Sequence, residues 1–245
     1  MAAWRRPRTS FLVASVTLGV CLWGTTAESQ DPSRWEDAMR AFGEEDRTSP
    51  PPSNAIVFVG SSSIRFWDTL ARDMDPLRVI QRGFGGSTME DALYWIDTLV
   101  LQHKPRAVVL YEGDNDIGSS LVSPEELLEG FETFVARVRE DLPETRIYFL
   151  AVKPSILRWA RWPETLRANA LIREASEADP LLTFIDVASP MLDDAGEPIA
   201  DIFVADDLHM NAKGYEIWTS IVRPILLERE GVYESTDAPP RGISR

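Results

Sequence analysis

The stretch Ile56-Val57-Phe58-Val59, running into Gly60-Ser61-Ser62-Ser63, decides how the rest of the chain is read. Four apolar residues in a row are too few for a helix. Their continuous rather than alternating character is what a parallel strand covered on both faces shows. Similar runs recur at Val79-Ile80, Ala107 to Tyr111, Ile147 to Val152 and Leu182 to Val187. Helical candidates separate them: Met89 to Leu101, Pro124 to Asp141, Pro163 to Ala178 and Ala212 to Glu228. Pro124 and Pro163 stand where a first helical turn tolerates proline, each followed by a glutamate that suits the positive end of the helix. Ser123, with Glu126 three residues on, is a capping-box pattern. Strand–helix alternation with five strands predicts one α/β domain, a three-layer α/β/α sandwich around a mainly parallel five-stranded sheet.

Around that domain, over residues 54–230, the expected organisation is an N-terminal helix and proline-rich linker over 28–53 and a disordered tail over 231–245. Residues 1–27 read as a signal peptide. Arg5, Arg6 and Arg8 precede an uncharged, mostly apolar run from Phe11 to Trp23, and Thr25-Thr26-Ala27 supplies small residues for cleavage near Ala27. The apolar run has 13 residues, short of the ~20 that span a bilayer. Membrane contact is therefore expected only through an uncleaved signal anchor. The expected destination is export, periplasmic or secreted. The Arg5-Arg6 pair is a weak hint of twin-arginine export. Cys21, the one cysteine, lies inside the leader; Val20 before it is bulky for a lipoprotein site.

The 245 residues carry 39 acidic and 25 basic side chains, a formal charge of −14. Cleavage after Ala27 would take this to −17. Such a surface repels phosphates and argues against nucleic acid as a partner. No Cys/His cluster has zinc spacing, so no metal is expected. Asp114-Asn115-Asp116 looks like the start of a calcium loop, but Gly118 comes one position early for it. Gly83-Phe84-Gly85 has Thr88 where a dinucleotide fingerprint needs its third glycine.

In a doubly wound sheet, chemistry collects beyond the carboxyl ends of the strands. There the sequence places Gly60-Ser61-Ser62-Ser63, Gly83-Phe84-Gly85-Gly86-Ser87, Glu112-Gly113-Asp114-Asn115-Asp116 and Asp206-Asp207-Leu208-His209. These supply a hydroxyl, backbone N–H groups, a carboxamide, a carboxylate and an imidazole, the parts of serine-based acyl transfer. Read without further guidance, Ser61 and Ser63 compete with Ser62, and Asp207 competes with Asp206. Of the two histidines, His209 ends an acidic loop, whereas His103 beside Lys104-Pro105 is expected on the surface.

The four segments, in this order and spacing from about Asn54 to Ile225, resemble the SGNH hydrolases, the GDSL-type esterases and lipases. The resemblance implies their flavodoxin-like fold, Ser62 as nucleophile, and Asp206 and His209 as the acid and base of a DxxH pair. It implies the Ser62 N–H, Gly86 and Asn115 as the oxyanion hole, and no cofactor. One departure is that Gly-Asp-Ser-Leu is here Gly60-Ser61-Ser62-Ser63. The expected substrate is a small-molecule or lipid ester, with short acyl chains favoured because no long lid segment is visible. Lysophospholipids, thioesters and acetylated sugars all stay open, and a binding module without turnover is the alternative. Phe66, Trp67, Phe84 and Trp159 are candidate pocket residues, and Lys153, Arg158 and Arg161 follow the fourth strand as a candidate pocket wall.

Overall fold

The computed structural model describes Met1 and residues 31–234. The leader, its Cys21 and the tail from residue 235 lie outside the described residues. After a short 3-10 turn at Pro32–Trp35, the elements are α1 (Glu36–Thr48), β1 (Ile56–Gly60), α2 (Ser62–Arg65), α3 (Leu70–Asp73) and β2 (Val79–Gly83). Then come α4 (Met89–Tyr94), α5 (Ile96–Leu99), β3 (Ala107–Tyr111), α6 (Asp114–Gly118), α7 (Pro124–Asp141) and β4 (Arg146–Leu150). After these come α8 (Trp162–Glu177), β5 (Leu182–Ile185) and α9 (Ala212–Glu230).

The five strands form one sheet in the order β2-β1-β3-β4-β5, and every pair is parallel. The apolar runs are continuous because both faces of the sheet are covered. Ile56 and Phe58 point into one core with Trp67, from the turn between α2 and α3, and Trp218, Val222 and Leu226, from α9. Val57 and Val59 point into the other with Met89, Phe131, Phe134, Val138 and Ile172, from α4, α7 and α8. Parallel pairing brings the carboxyl ends of β1, β2, β3 and β4 to one edge. The order reverses between β1 and β3, and there a crevice opens between the loops that leave the two strands.

The capping box at Ser123 and Glu126 forms, and α7 occupies its expected span. Several boundaries differ from expectation for physical reasons. β2 runs on through Gln81 and Arg82, whose polar side chains are satisfied inside the fold. The Gln81 amide donates to the carbonyls of Ile64 (2.6 Å) and Trp67 (3.1 Å). Arg82 is buried and paired with Asp46 of α1. This same pair corrects the placement of His103: its side chain is only 4% exposed and accepts from Arg82 Nε at 3.3 Å. Burial, aided by the Arg82 charge, pushes the His103 pKa down. Within the helix and linker expected over 28–53, α1 continues to Thr48, which leaves residues 49–53 as the linker. The single helix expected over 89–101 breaks at Trp95, whose indole N–H is drawn to the Pro32 carbonyl at 2.9 Å. The ordered domain also extends past residue 230. Gly231–Glu234 forms a 3-10 turn in which Glu234 pairs with Arg78 and Arg106, so these four residues are not tail.

Candidate active site

Ser62 is the first residue of α2, directly beyond β1. The Ser61 N–H donates to the Tyr111 carbonyl at the end of β3 (3.2 Å), and the Tyr215 hydroxyl of α9 donates to the Ser63 carbonyl (2.9 Å). Both neighbouring serines are buried, whereas Ser62 reaches the crevice. There its Oγ lies 2.9 Å from His209 Nε2. His209 Nδ1 lies 2.5 Å from Asp206 Oδ2. A carboxylate can only accept, so Nδ1 carries the proton and the Nε2 lone pair is left for the Ser62 hydroxyl.

A backbone turn makes this arrangement local. Asp206 Oδ1 accepts from the N–H groups of Leu208 (3.0 Å) and His209 (2.9 Å), so the acid grips the same loop that holds the imidazole. Partial burial would raise the Asp206 pKa. The hydrogen bonds from the His209 ring and from the two backbone N–H groups outweigh it and hold the carboxyl down at about 2. Asp207 sits at the left-handed corner of the turn (φ 58°), and its carbonyl accepts from the Leu157 N–H at 3.0 Å.

The glycine loop after β2 and the start of α6 face Ser62 from the other side. A side chain at Gly85 would begin 3.9 Å from Ser62 Cβ, and Gly86 holds a φ of +80° that suits glycine. Asn115 Nδ2 donates to the Ser87 carbonyl at 2.8 Å, tying α6 to this loop. The Ser87 hydroxyl donates to Glu112 Oε1 at 2.6 Å. Glu112 is completely buried, and this burial, reinforced by the Asp116 charge, raises its pKa well above the usual carboxylate range.

The two aspartates around Asn115 are committed to the protein. Asp116 accepts from the N–H groups of Met89 and Gly113, each at 3.0 Å, while burial lifts its pKa to about 6. Asp114 faces Lys153 Nζ (3.1 Å), the Tyr111 hydroxyl (3.1 Å) and Arg158 Nη1 (2.5 Å). The two cations overcome its burial and hold it at about 2. Among the described residues no group of acids, histidines and cysteines could hold a metal ion.

Two candidate pocket residues belong elsewhere. Trp67 is fully buried against Phe58, Tyr215 and Trp218, and its indole N–H donates to Asp73 at 2.9 Å. Phe84 is buried and meets Trp35 edge-on at 5.6 Å. Both are core, because a large aromatic ring gains more from burial than from lining water. Trp159 is half-buried, stacked on Trp162 at 5.7 Å and packed on the core. Phe66 does face the site: it is exposed, and its ring meets His209 edge-on at 5.0 Å. With Thr69, Met210 and Tyr215 it also lines a groove of about 490 Å³. Of the expected cationic wall, Lys153 is buried in the Asp114 ion pair, and Arg161 pairs with Glu164. Sequence reading missed Trp35, which packs 3.7 Å from where a Gly86 side chain would begin. No pattern around Pro32-Ser33-Arg34-Trp35 marks it, since the contact depends on the fold of a distant loop.

Residues 53–217, well over half of the chain, match the model of the GDSL-like lipase/acylhydrolase family. The chain belongs to this family. It is therefore a carboxylic ester hydrolase, with small-molecule esters as its class of substrate. Solved structures of the same fold include a GDSL-like lipase from Bacteroides thetaiotaomicron, 17% identical, with a TM-score of 0.66 over 78% of this chain and 98% of that one. Another is a Streptococcus pneumonia protein provisionally named for platelet activating factor, at 22% identity and a TM-score of 0.70, over 78% of this chain and 92% of that one. A third is a catalytic mutant of an acetylxylan esterase from Geobacillus stearothermophilus, at 14% identity and a TM-score of 0.59, over 77% and 99% of the two chains. No curated protein matches the chain. Among the described residues no helix is long and apolar enough to cross a membrane.

Proposed function

We propose that this GDSL-family hydrolase is an exported serine esterase that works through an acyl-enzyme on Ser62, with His209 as base and Asp206 as the orienting acid. The observation that carries this reading is the unbroken contact from Ser62 Oγ through the His209 ring to Asp206, 2.9 Å and 2.5 Å. As Ser62 Oγ attacks the ester carbon, its proton passes to His209 Nε2; the tetrahedral intermediate then expels the alcohol, which takes that proton. Asp206 stabilises the imidazolium in between. The oxyanion receives the N–H groups of Ser62 and Gly86 and the second Nδ2 hydrogen of Asn115, each donor being worth roughly 10²–10³ in rate. Water activated by the same histidine releases the acid and restores Ser62.

For substrate we propose esters with short acyl chains. Exposed Phe66 beside His209 offers one apolar surface at the reacting centre, whereas Trp67 and Phe84 are spent on the core. Export rests on the leader pattern of residues 1–27.

The test is hydrolysis of p-nitrophenyl acetate together with labelling by a fluorophosphonate. Ser62→Ala and His209→Ala are each expected to lower kcat by roughly 10⁶-fold in a folded protein. Ser62→Ala is also expected to lose the label. Retained turnover in both variants would overturn the assignment. A wild-type protein that binds esters yet takes no label would make it a binding module.

A further inference from the structure

Asn115 serves the oxyanion only if its carboxamide is held one way round. We propose that Arg158 is the positioning residue that sets this orientation and sharpens Asn115 as a donor, an inference that rests on the oxyanion-hole reading above.

Arg158 stands beyond the carboxyl end of β4, just before the 3-10 turn Trp159–Arg161. Its Nη2 donates to Asn115 Oδ1 at 2.8 Å, while Nη1 donates to the Asp114 carbonyl at 2.7 Å and to Asp114 Oδ1 at 2.5 Å. Asn115 Nδ2 donates to the Ser87 carbonyl at 2.8 Å. The two ends of the carboxamide thus meet partners of opposite kind. A guanidinium can only donate and a carbonyl can only accept, so just one of the two flips satisfies both. The reversed amide would set N–H against N–H and oxygen against oxygen. In the satisfied orientation one Nδ2 hydrogen is bound to Ser87 and the second is left for the oxyanion.

The charge adds to the geometry. A cationic donor on Oδ1 draws electron density out of the amide, which makes the remaining N–H a stronger donor. Arginine suits this task because its planar fork reaches two acceptors at once; lysine is a single point of charge. The fork is itself held, since Asp114 also binds Lys153 Nζ (3.1 Å) and the Tyr111 hydroxyl (3.1 Å). Lys153 Nζ in turn donates to the Leu208 carbonyl at 2.9 Å, one residue before His209. One ionic chain therefore joins the Asn115 side of the site to the histidine loop.

The experiment is steady-state hydrolysis of p-nitrophenyl acetate by the full chain carrying Arg158→Met, Arg158→Lys, Asn115→Ala and the Arg158→Met/Asn115→Ala pair, with circular dichroism to check folding. Arg158→Met is expected to lower kcat about 10- to 100-fold, with KM changed less than about threefold, because the lost interaction strengthens in the transition state. In the Asn115→Ala background the same substitution is expected to cost nothing further, since Arg158 acts through that side chain. Arg158→Lys keeps a cation beside Asp114 and is expected to stay folded while also losing kcat. If Arg158→Met does not fold, the lysine variant alone decides.

Unchanged kcat in folded Arg158→Lys, or a loss from Arg158→Met that multiplies with that from Asn115→Ala, would overturn the positioning role. The parent reading fails differently. Turnover by Ser62→Ala, or an Asn115→Ala enzyme as fast as wild type, would remove the site itself rather than its support.

Discussion

Asp206 and Asp207 carry the same group one position apart, and the turn between them decides which can serve the imidazole. The left-handed backbone at Asp207 turns its neighbour's carboxylate back onto the loop, where it caps two N–H groups and meets His209 Nδ1. Asp206→Asn would place an amide where only an acceptor fits, favouring the wrong tautomer, and is expected to lower kcat by about 10⁴-fold. Asp207→Asn, which also tolerates left-handed backbone, is expected to change kcat less than about twofold. Comparing the two variants in one ester assay checks the assignment, and equal losses would count against it. At this scale the residue types were legible in the sequence, but the choice among neighbours was not. Ser61, Ser62 and Ser63 differ only in which way the start of α2 turns them, and periodicity carries no information about a single turn. The DxxH spacing came through because acid and base share one loop. Arg158 did not, because its contact with Asn115 spans 43 residues and two loops.

At the scale of elements, the site is made by how tightly α2 is set against the sheet. A side chain at Gly83 would begin 2.2 Å from the Arg65 nitrogen and 2.6 Å from its Cα, so only hydrogen fits there. Gly83→Ala must push α2 away or bend β2, and is expected to cost about 1–3 kcal/mol, read as a lower urea midpoint. Because α2 carries Ser62, kcat is expected to fall as well. The loop opposite rests on Glu112, whose raised pKa has a definite sign. A buried acid that holds its proton more tightly folded than unfolded stabilises the fold at low pH, and that stability is lost as pH rises above the ordinary carboxylate value. Asp116 works in the same direction up to about pH 6. Glu112→Gln keeps an acceptor for the Ser87 hydroxyl and never ionises. Its stability relative to wild type is therefore expected to rise between pH 5 and pH 8 in urea titrations. A difference independent of pH would mean that the carboxyl is not held neutral. The elements themselves were readable wherever the signal was burial on both faces, as at β1 and β3. It failed at β2, where Gln81 and Arg82 look like surface and are instead satisfied inside.

For the whole molecule, the two edges of the sheet divide the work. All the groups proposed for catalysis stand beyond the carboxyl ends of the strands, while the opposite edge is closed by charge. There the end of α9 places Glu230, fully buried, against Arg146 (2.5 and 2.8 Å), Arg106 (3.2 Å) and the Tyr148 hydroxyl (2.5 Å). Four residues on, Glu234 binds the Arg78 side chain (2.8 Å) and backbone (3.0 Å) and also Arg106. These arginines stand just before β2, β3 and at the start of β4, so the end of α9 and the turn after it fasten three strands. Composition reported the charges but not their pairing, which is why Gly231–Glu234 read as tail. Glu230→Ala leaves Arg146 without its carboxylate and Arg106 with Glu234 alone, and is expected to cost about 3–5 kcal/mol. Tyr148→Phe removes one hydrogen bond from the same carboxylate and is expected to cost about 1 kcal/mol. Since this edge lies across the sheet from Ser62, kcat on p-nitrophenyl acetate is expected to stay within about twofold of wild type in both variants, as for sites that share no partners. Urea midpoints and ester kinetics on the same preparations check both halves. A Glu230→Ala protein as stable as wild type would show that the charge cluster does not hold the strands, and one that is stable but slow would show that the two edges are coupled.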